Sequence, residues 1–306
     1  MLSSFFSKSK PINYIAVALY MGILFAIAHY KKGFSVELSY LLLSFISLFI
    51  YVLPMLTLNL LAQRNGLTNK GTFTILLYAF LTALMPNSLT NFSVLLSNVF
   101  VLLALQNILL LQNDKQTKAK ILNASICIGL ASLAYFWSIG FIALVFLGIL
   151  YFEANNYRNW IIPSIGISIV YLFANCFTLL FYDSFYTFTT HIDFKLFSFR
   201  NYLKTDQLFS IGVLSICIVF FVSIYLIKFR RKAANIKSIL RIIIAYLLTA
   251  IAVAISTPEK NTSELFFIAA PLALIGTTYL EVNHNQLAKE INMWVLILIP
   301  FITLLF

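Results

Sequence analysis

The chain has 306 residues, of which 61% are hydrophobic, 16% aromatic and only 10% charged, with 30 phenylalanines and a mean hydropathy of +0.93. A soluble domain carries about 25% charged residues, so the charges present here cannot cover a water-exposed surface, which excludes a soluble enzyme, a disordered chain and a nucleic-acid-binding module. The net charge of +11 reads instead as the Lys and Arg excess of cytoplasmic loops in a membrane protein.

A helix that crosses a bilayer needs about 20 apolar residues, with a range of about 17–25. Apolar runs lie at 12–29, 37–62, 72–86, 91–112, 121–135, 138–153, 160–182, 208–228, 238–256, 265–280 and 291–306. The first follows Lys8 and Lys10 and contains Ala26-Ile27-Ala28, a small-x-small pattern that resembles a signal-peptide cleavage site; an uncleaved first span is the reading adopted. The runs 72–86, 121–135 and 138–153 are short for a full crossing. Between the last two only Phe136-Trp137-Ser138 intervenes, yet a single helix there would be about 50 Å long, too long even when tilted.

Charge decides between one helix and two. With two helices and the N-terminus inside, 15 of the 21 Lys and Arg fall on the cytoplasmic side, leaving Lys31, Lys32, Lys195, Arg200, Lys204 and Lys260 outside. A single helix inverts every later loop and gives 11 against 10. The positive-inside rule therefore favours a hairpin. The expected fold is all-α, a polytopic transmembrane helix bundle of about 11 spans, with a cytoplasmic N-terminus and a periplasmic C-terminus. Residues 1–306 form one integral membrane domain, and 183–207 is its outer interfacial loop. A bacterial cytoplasmic (inner) membrane is the expected location, and the abundance of Phe, Ile, Asn, Lys and Tyr fits a low-GC bacterial genome.

Because lipid tails are as apolar as leucine, helix contacts in a membrane depend on small residues and interhelical hydrogen bonds. Small-xxx-small pairs occur at Ser125/Gly129, Ser164/Ser168 and Ala269/Ala273, with Gly166 and Gly276 as further points of close approach. Pro54 and Pro271 are the expected kinks. Two polar stripes run at helical spacing: Tyr40, Ser44, Ser47 and Tyr51, and Asn91, Asn98 and Gln106. They either bond neighbouring helices or line a shared cavity. Cys127, Cys176 and Cys217 lie in apolar runs without CxxC spacing and read as packing residues.

No span has a clear ionisable residue at its middle, and His29, His191 and His284 are scattered, so neither haem nor a structural metal is expected. GxxxxGK[ST], HExxH, GxSxG and GxGxxG are absent. No cofactor is expected. Polar residues gather instead in the outer loops. Loop 183–207 carries Asp183, His191, Asp193, Lys195, Arg200, Lys204 and Asp206, interleaved with Phe185, Tyr186, Phe188, Phe194, Phe197, Phe199 and Tyr202. It suits a segment lying in the headgroup layer, or a lid over a site for an anionic headgroup with Arg200 and Lys204 on phosphate. Loop 257–264 adds Lys260 as a third phosphate partner. Glu37, Asp183 and Glu264 sit nearest helix ends and are the candidate bases. The inner segment KFRRKAANIK (228–237) reads as a topology determinant that contacts anionic lipid.

The opening MLSSFFSKSKPIN, the multispan pattern and the length resemble a family of polytopic inner-membrane proteins in Bacteroidota for which no activity is established. The stretch PEKNTSELFFIAAPLALIGTTYL (258–280) is similar to the late segment of membrane glycosyltransferases that use polyprenyl-phosphate sugars, in which a basic outer residue precedes a Pro-containing span. That resemblance places Lys260 at the basic position. The chain departs from those enzymes in its short first outer loop, whose one carboxylate is Glu37, and in having no soluble outer domain. Two functional classes follow. One is a compact glycosyltransferase-like or polymerase-like protein acting on lipid-linked sugars at the outer face. The other is a noncatalytic membrane subunit or scaffold of an envelope complex, with a lipid or solute carrier as a further alternative. Expected partners are membrane lipids, among them a polyprenyl-phosphate-linked sugar, and no nucleic acid.

Overall fold

In a bilayer core the backbone finds no water, so each apolar run must satisfy its own amides, and helix is the result. A computed structural model describes residues 2–33, 37–68, 71–113, 116–154, 156–187, 202, 204–229, 234–258, 260–281 and 286–305. Among the described residues there are thirteen α-helices and no strand: α1 Leu2–Phe6, α2 Pro11–Gly33, α3 Leu38–Arg64, α4 Phe73–Ala83, α5 Pro86–Leu89, α6 Phe92–Leu110, α7 Thr117–Ala134, α8 Ile142–Phe152, α9 Ile162–Tyr182, α10 Thr205–Phe229, α11 Ala234–Ser256, α12 Phe266–Leu280 and α13 Gln286–Leu305. Seven helical segments are long and apolar enough to cross a membrane: Pro11–Gly33, Leu38–Arg64, Phe92–Leu110, Tyr157–Tyr182, Gln207–Phe229, Ile236–Ser256 and Ser263–Leu280. Phe73–Ala83, Phe136–Phe152 and Glu290–Thr303 are shorter apolar helices.

The stretch 121–153 is a hairpin. Tyr135 takes an extended conformation (φ −141°, ψ 104°) that ends α7, and a 3-10 turn at Phe136–Phe141 leads into α8. The start of α7 and the end of α8 meet where Thr117 Oγ1 donates to Glu153 Oε1 at 3.2 Å. The loops consequently sort to two ends of the bundle. At one end Lys32 Nζ donates to Thr90 Oγ1 (3.0 Å) and Asn87 Nδ2 to the Asn261 carbonyl (3.0 Å). At the other, Asn13 Nδ2 donates to Thr72 Oγ1 (2.9 Å) and Ser3 Oγ to Glu290 Oε1 (2.7 Å). The second end holds Arg64, Lys118, Lys120, Arg158, Lys228 and Lys237 and is called the basic end below.

Burial explains how short helices are tolerated. Every residue of α4 is buried, as are most of α12, so these two form the centre and are enclosed by protein rather than lipid. A helix of 11 residues spans only about 16 Å, which is acceptable where its ends meet other chain segments instead of hydrocarbon. The surrounding helices turn apolar side chains outward, with Phe45 and Phe49 of α3, Phe173 and Leu180 of α9, Ile216 and Val219 of α10, and Trp294 of α13 all exposed. An apolar exterior around a buried core is the arrangement that lipid permits and water does not.

The small residues divide by position. A Cβ at Gly166 would lie 2.6 Å from Ser125 Cβ, and one at Gly129 would lie 2.9 Å from Val170, so α7 and α9 interlock at these two points. Ser132 and Tyr171 share a 2.8 Å hydrogen bond across the same interface. Ser164 and Ser168, expected at a contact, are exposed instead, because α9 packs through Pro163, Gly166, Val170 and Tyr171. Ala269 and Ala273 are buried, and Gly276 lies against Leu77 and Phe221.

Tyr40, Tyr51 and Asn98 of the polar stripes bond neighbouring helices, whereas the Ser47 hydroxyl donates to the Leu43 carbonyl of its own helix. Tyr51 and Thr82 hydroxyls lie 2.8 Å apart, Tyr40 and His29 Nδ1 2.9 Å apart, and Asn98 Nδ2 donates to Tyr78 at 3.1 Å. Tyr51→Phe removes one such bond from a fully buried site and is expected to destabilise the protein by about 0.6–1.7 kcal/mol. Thermal unfolding in detergent measures this, and an unchanged midpoint would show that the Tyr51 hydroxyl contributes nothing. Cys127, Cys176 and Cys217 are free thiols.

Candidate functional site

The end opposite the basic one is organised by the turn between α11 and α12. The last carbonyls of α11 have no partner within the helix. Lys260 folds back to supply one, donating from Nζ to the carbonyls of Ala254 (2.6 Å) and Ile255 (2.9 Å). A cation at a helix C-terminus is also favoured by the helix dipole. Thr262 adopts a left-handed conformation (φ 67°) and directs the chain into the 3-10 turn Ser263–Leu265 ahead of α12. Asn87, at the start of α5, holds this turn through Asn261 O and Thr262 Oγ1.

This turn sets Glu264 and Lys260 side by side inside the protein, where they are 0% and 2% exposed. Glu264 Oε1 accepts the Tyr202 hydroxyl, and Oε2 accepts the Asn261 N–H at 3.3 Å. Burial, with the adjoining Glu264 carboxylate, raises the Tyr202 phenol above its ordinary range and keeps it protonated as the donor. Burial pushes the Lys260 ammonium below the ordinary lysine range, partly offset by the Glu264 charge.

The Lys260 shift has a consequence for stability. Its folded pKa lies under the unfolded value of 10.5, so between the two the unfolded chain binds more protons and this group's contribution to stability rises with pH. Lys260→Met is expected to flatten the rise of the thermal midpoint over the alkaline pH range just below about 10.5. A slope identical to the parent's would rule out the buried ammonium as its source.

The residues predicted from sequence are placed unequally. Glu264 and Lys260 come together. Glu37, at the N-cap of α3, and Asp183, left-handed at the end of α9, are exposed and have no side-chain hydrogen bond among the described residues. Lys204 is exposed at the start of α10, where its carbonyl accepts the Leu208 N–H at 2.9 Å. Arg200, His191, Asp193 and Lys195 lie outside the described residues. Among the described residues, Glu264 and Lys260 do not stand open at the surface. Both are enclosed, because the lysine satisfies the end of α11 and Tyr202, from that same segment, closes on the carboxylate. Sequence reading grouped Tyr202 with the interfacial aromatics and passed over Asn87. Neither position carries a local signal, since what defines them is a partner 62 or 174 residues away.

A polar hollow of about 430 Å³ lies at the basic end, between the last turns of α3 and α6 and the first turns of α11. Gln106, the last member of the α6 stripe, lines it, and the stripe of Tyr40 to Tyr51 does not. A second hollow of about 640 Å³, walled by Ile126, Leu130, Ile169, Phe173 and Phe177, is an apolar groove between α7 and α9. Among the described residues no three His, Cys, Asp or Glu side chains converge in a way that could hold a metal ion.

Long apolar helices, a lipid-compatible exterior and a polar cluster at one bundle end define a multi-pass helical membrane protein. Over its whole length, residues 1–306, the chain matches the model of the family of unknown function DUF6427, and it belongs to that family. No curated protein and no solved structure matches it.

Proposed function

We propose that the protein is an envelope enzyme of the bacterial inner membrane that acts on a lipid-linked sugar at the outer face. In this reading the chain crosses the membrane eleven times, with its N-terminus in the cytoplasm and C-terminus in the periplasm. The alternation of loops between the two ends and the basic character of one end support that topology. The observation that carries the functional reading is the enclosure of Glu264 beside Lys260 at the start of a Pro-containing helix. A buried ionisable pair is costly, and such groups cluster where a protein does chemistry.

Withdrawal of Tyr202 would open the site. Glu264 would then take the proton of an acceptor hydroxyl as its oxygen bonds to the anomeric carbon, and the bond from that carbon to the phosphate oxygen breaks. The polyprenyl phosphate leaves with the electron pair, and Lys204, Arg200 and Lys260 meet its charge. Glu37 and Asp183 are the other candidate bases, placed at the outer helix ends. The partners in this scheme are membrane lipids and a polyprenyl-phosphate-linked sugar. Purified protein in liposomes, supplied with a radiolabelled short-chain polyprenyl-phosphate hexose and a sugar acceptor, is expected to transfer label. No transfer and no binding of that donor by the unaltered protein would overturn the reading.

One observation favours a second reading, a noncatalytic membrane subunit. The Lys260 ammonium is already engaged by two carbonyls, and both Glu264 oxygens are occupied. On that reading Glu264→Gln leaves surface glycan unchanged and alters only stability or the recovery of co-purifying proteins.

A further inference from the structure

The hollow at the basic end has a chemistry of its own, independent of the outer-face reading. Its polar wall includes Thr57, Arg64 and Asn65 from α3 and the turn after it, and Gln106 from α6, with Leu60 and Ile239 among its apolar residues. Among the described residues that line it there is no acidic side chain. Two helix C-termini meet here, and their carbonyls would ordinarily make the site attractive to cations. The chain has neutralised both. Leu61, Ala62 and Gln63 carbonyls accept the N–H groups of Asn65, Leu67 and Gly66, with Gly66 left-handed at φ 62° as the cap requires. Lys120 Nζ donates to the Leu110 carbonyl at 2.7 Å.

Among the described residues, the lining charge left without a partner is positive. Arg64 is exposed and makes no ion pair or hydrogen bond among the described residues, and the Gln106 side chain likewise has no hydrogen-bond partner among them. An amide at membrane level requires a partner, and a guanidinium without a counter-ion fits phosphate oxygens in its fork. One wall also continues outward. Leu60 and Leu56, one helical turn apart, are 50% and 43% exposed on the lipid-facing side of α3. A ligand here can place a charged head in the hollow and a hydrocarbon chain along α3 without leaving the bilayer.

We propose that this hollow is a binding site for the headgroup of an anionic phospholipid, with Arg64 on the phosphate and Gln106 as an additional hydrogen-bonding group. The volume of about 430 Å³ suits a headgroup and falls in the usual range of small-molecule pockets, about 300–1,000 Å³. A soluble phosphate ester shares the head chemistry but gains nothing from the apolar wall.

The test uses the full-length protein in detergent, with bound lipid counted by native mass spectrometry. Dioleoyl phosphatidylglycerol, dioleoyl phosphatidylcholine, sn-glycerol 3-phosphate and inorganic phosphate are titrated separately. One phosphatidylglycerol is expected to be retained preferentially. Arg64→Gln should weaken it by about 10- to 100-fold, the effect of losing a charge-assisted hydrogen bond, and Gln106→Leu by less. Arg158→Gln, which removes an exposed cation at the same end, should leave it unchanged. Because Arg64 is exposed, its replacement should leave the thermal midpoint near the parent's. Equal binding of phosphatidylcholine, equal binding of inorganic phosphate or glycerol phosphate, or equal losses in the Arg64 and Arg158 variants would each overturn the proposal.

Discussion

Glu264→Gln is expected to reduce sugar transfer in the liposome assay by about 10²- to 10⁴-fold, the range for removal of a general base. Glutamine keeps the shape of the side chain, and its carbonyl oxygen can still accept from Tyr202 or from the Asn261 N–H. It cannot take a proton from an attacking hydroxyl. Glu264→Ala tests the structural role separately. It strips the partner from Tyr202 and from the Asn261 N–H inside a fully buried turn, and each stranded donor costs about 1–3 kcal/mol. The two substitutions therefore separate the readings. If activity vanishes in Gln while the thermal midpoint stays near the parent's, the carboxylate acts in chemistry. If the Gln variant transfers label at the parent's rate and only Ala is unstable, Glu264 is a structural clamp and the enzyme reading fails.

Gly166→Val is expected to destabilise the protein by about 1–3 kcal/mol by forcing α7 and α9 apart. At Gly166 even a Cβ would sit 2.6 Å from Ser125 Cβ and 3.4 Å from the Leu122 carbonyl oxygen. Ser125 Cβ is fixed to its own backbone and cannot swing aside, so the helices themselves must separate. Separation would also stretch the Ser132–Tyr171 hydrogen bond across the same face. The clash predicts a specific rescue. Gly166→Ala paired with Ser125→Gly should lose less stability than the sum of the two single changes, since the second removes the atom that the first strikes. Additive losses in that cycle would mean the two positions do not touch.

Much of the bundle was legible because the bilayer imposes a simple rule on sequence. Apolar runs of fixed length separated by charge must be helices; each of the eleven runs contains one, and seven helical segments are long and apolar enough to cross a membrane. The hairpin at 121–153 was reached through charge parity, a long-range constraint that happens to be written in the loops. The contact face of α9 was not legible. Ser164/Ser168 and Gly166/Val170 both recur at helical spacing, and only the position of α7 decides which pair is buried.

The site divides in the same way. Lys260 stood out as a cation ahead of a Pro-containing span and Glu264 as a carboxylate at a helix end. That both would be enclosed, with the lysine turned to its own helix end, depends on where α11 stops and on a tyrosine that sequence spacing leaves 62 residues away. The hollow at the basic end has no sequence signature, because Arg64, Gln106 and Ile239 belong to three separate helices. Composition and charge order by themselves determined that this is a multi-pass helical membrane protein, since hydration and hydrocarbon act on each segment in turn. Which cations are spent on the protein's own carbonyls and which stay available for a ligand was decided only in three dimensions, because that depends on which helix ends are brought together.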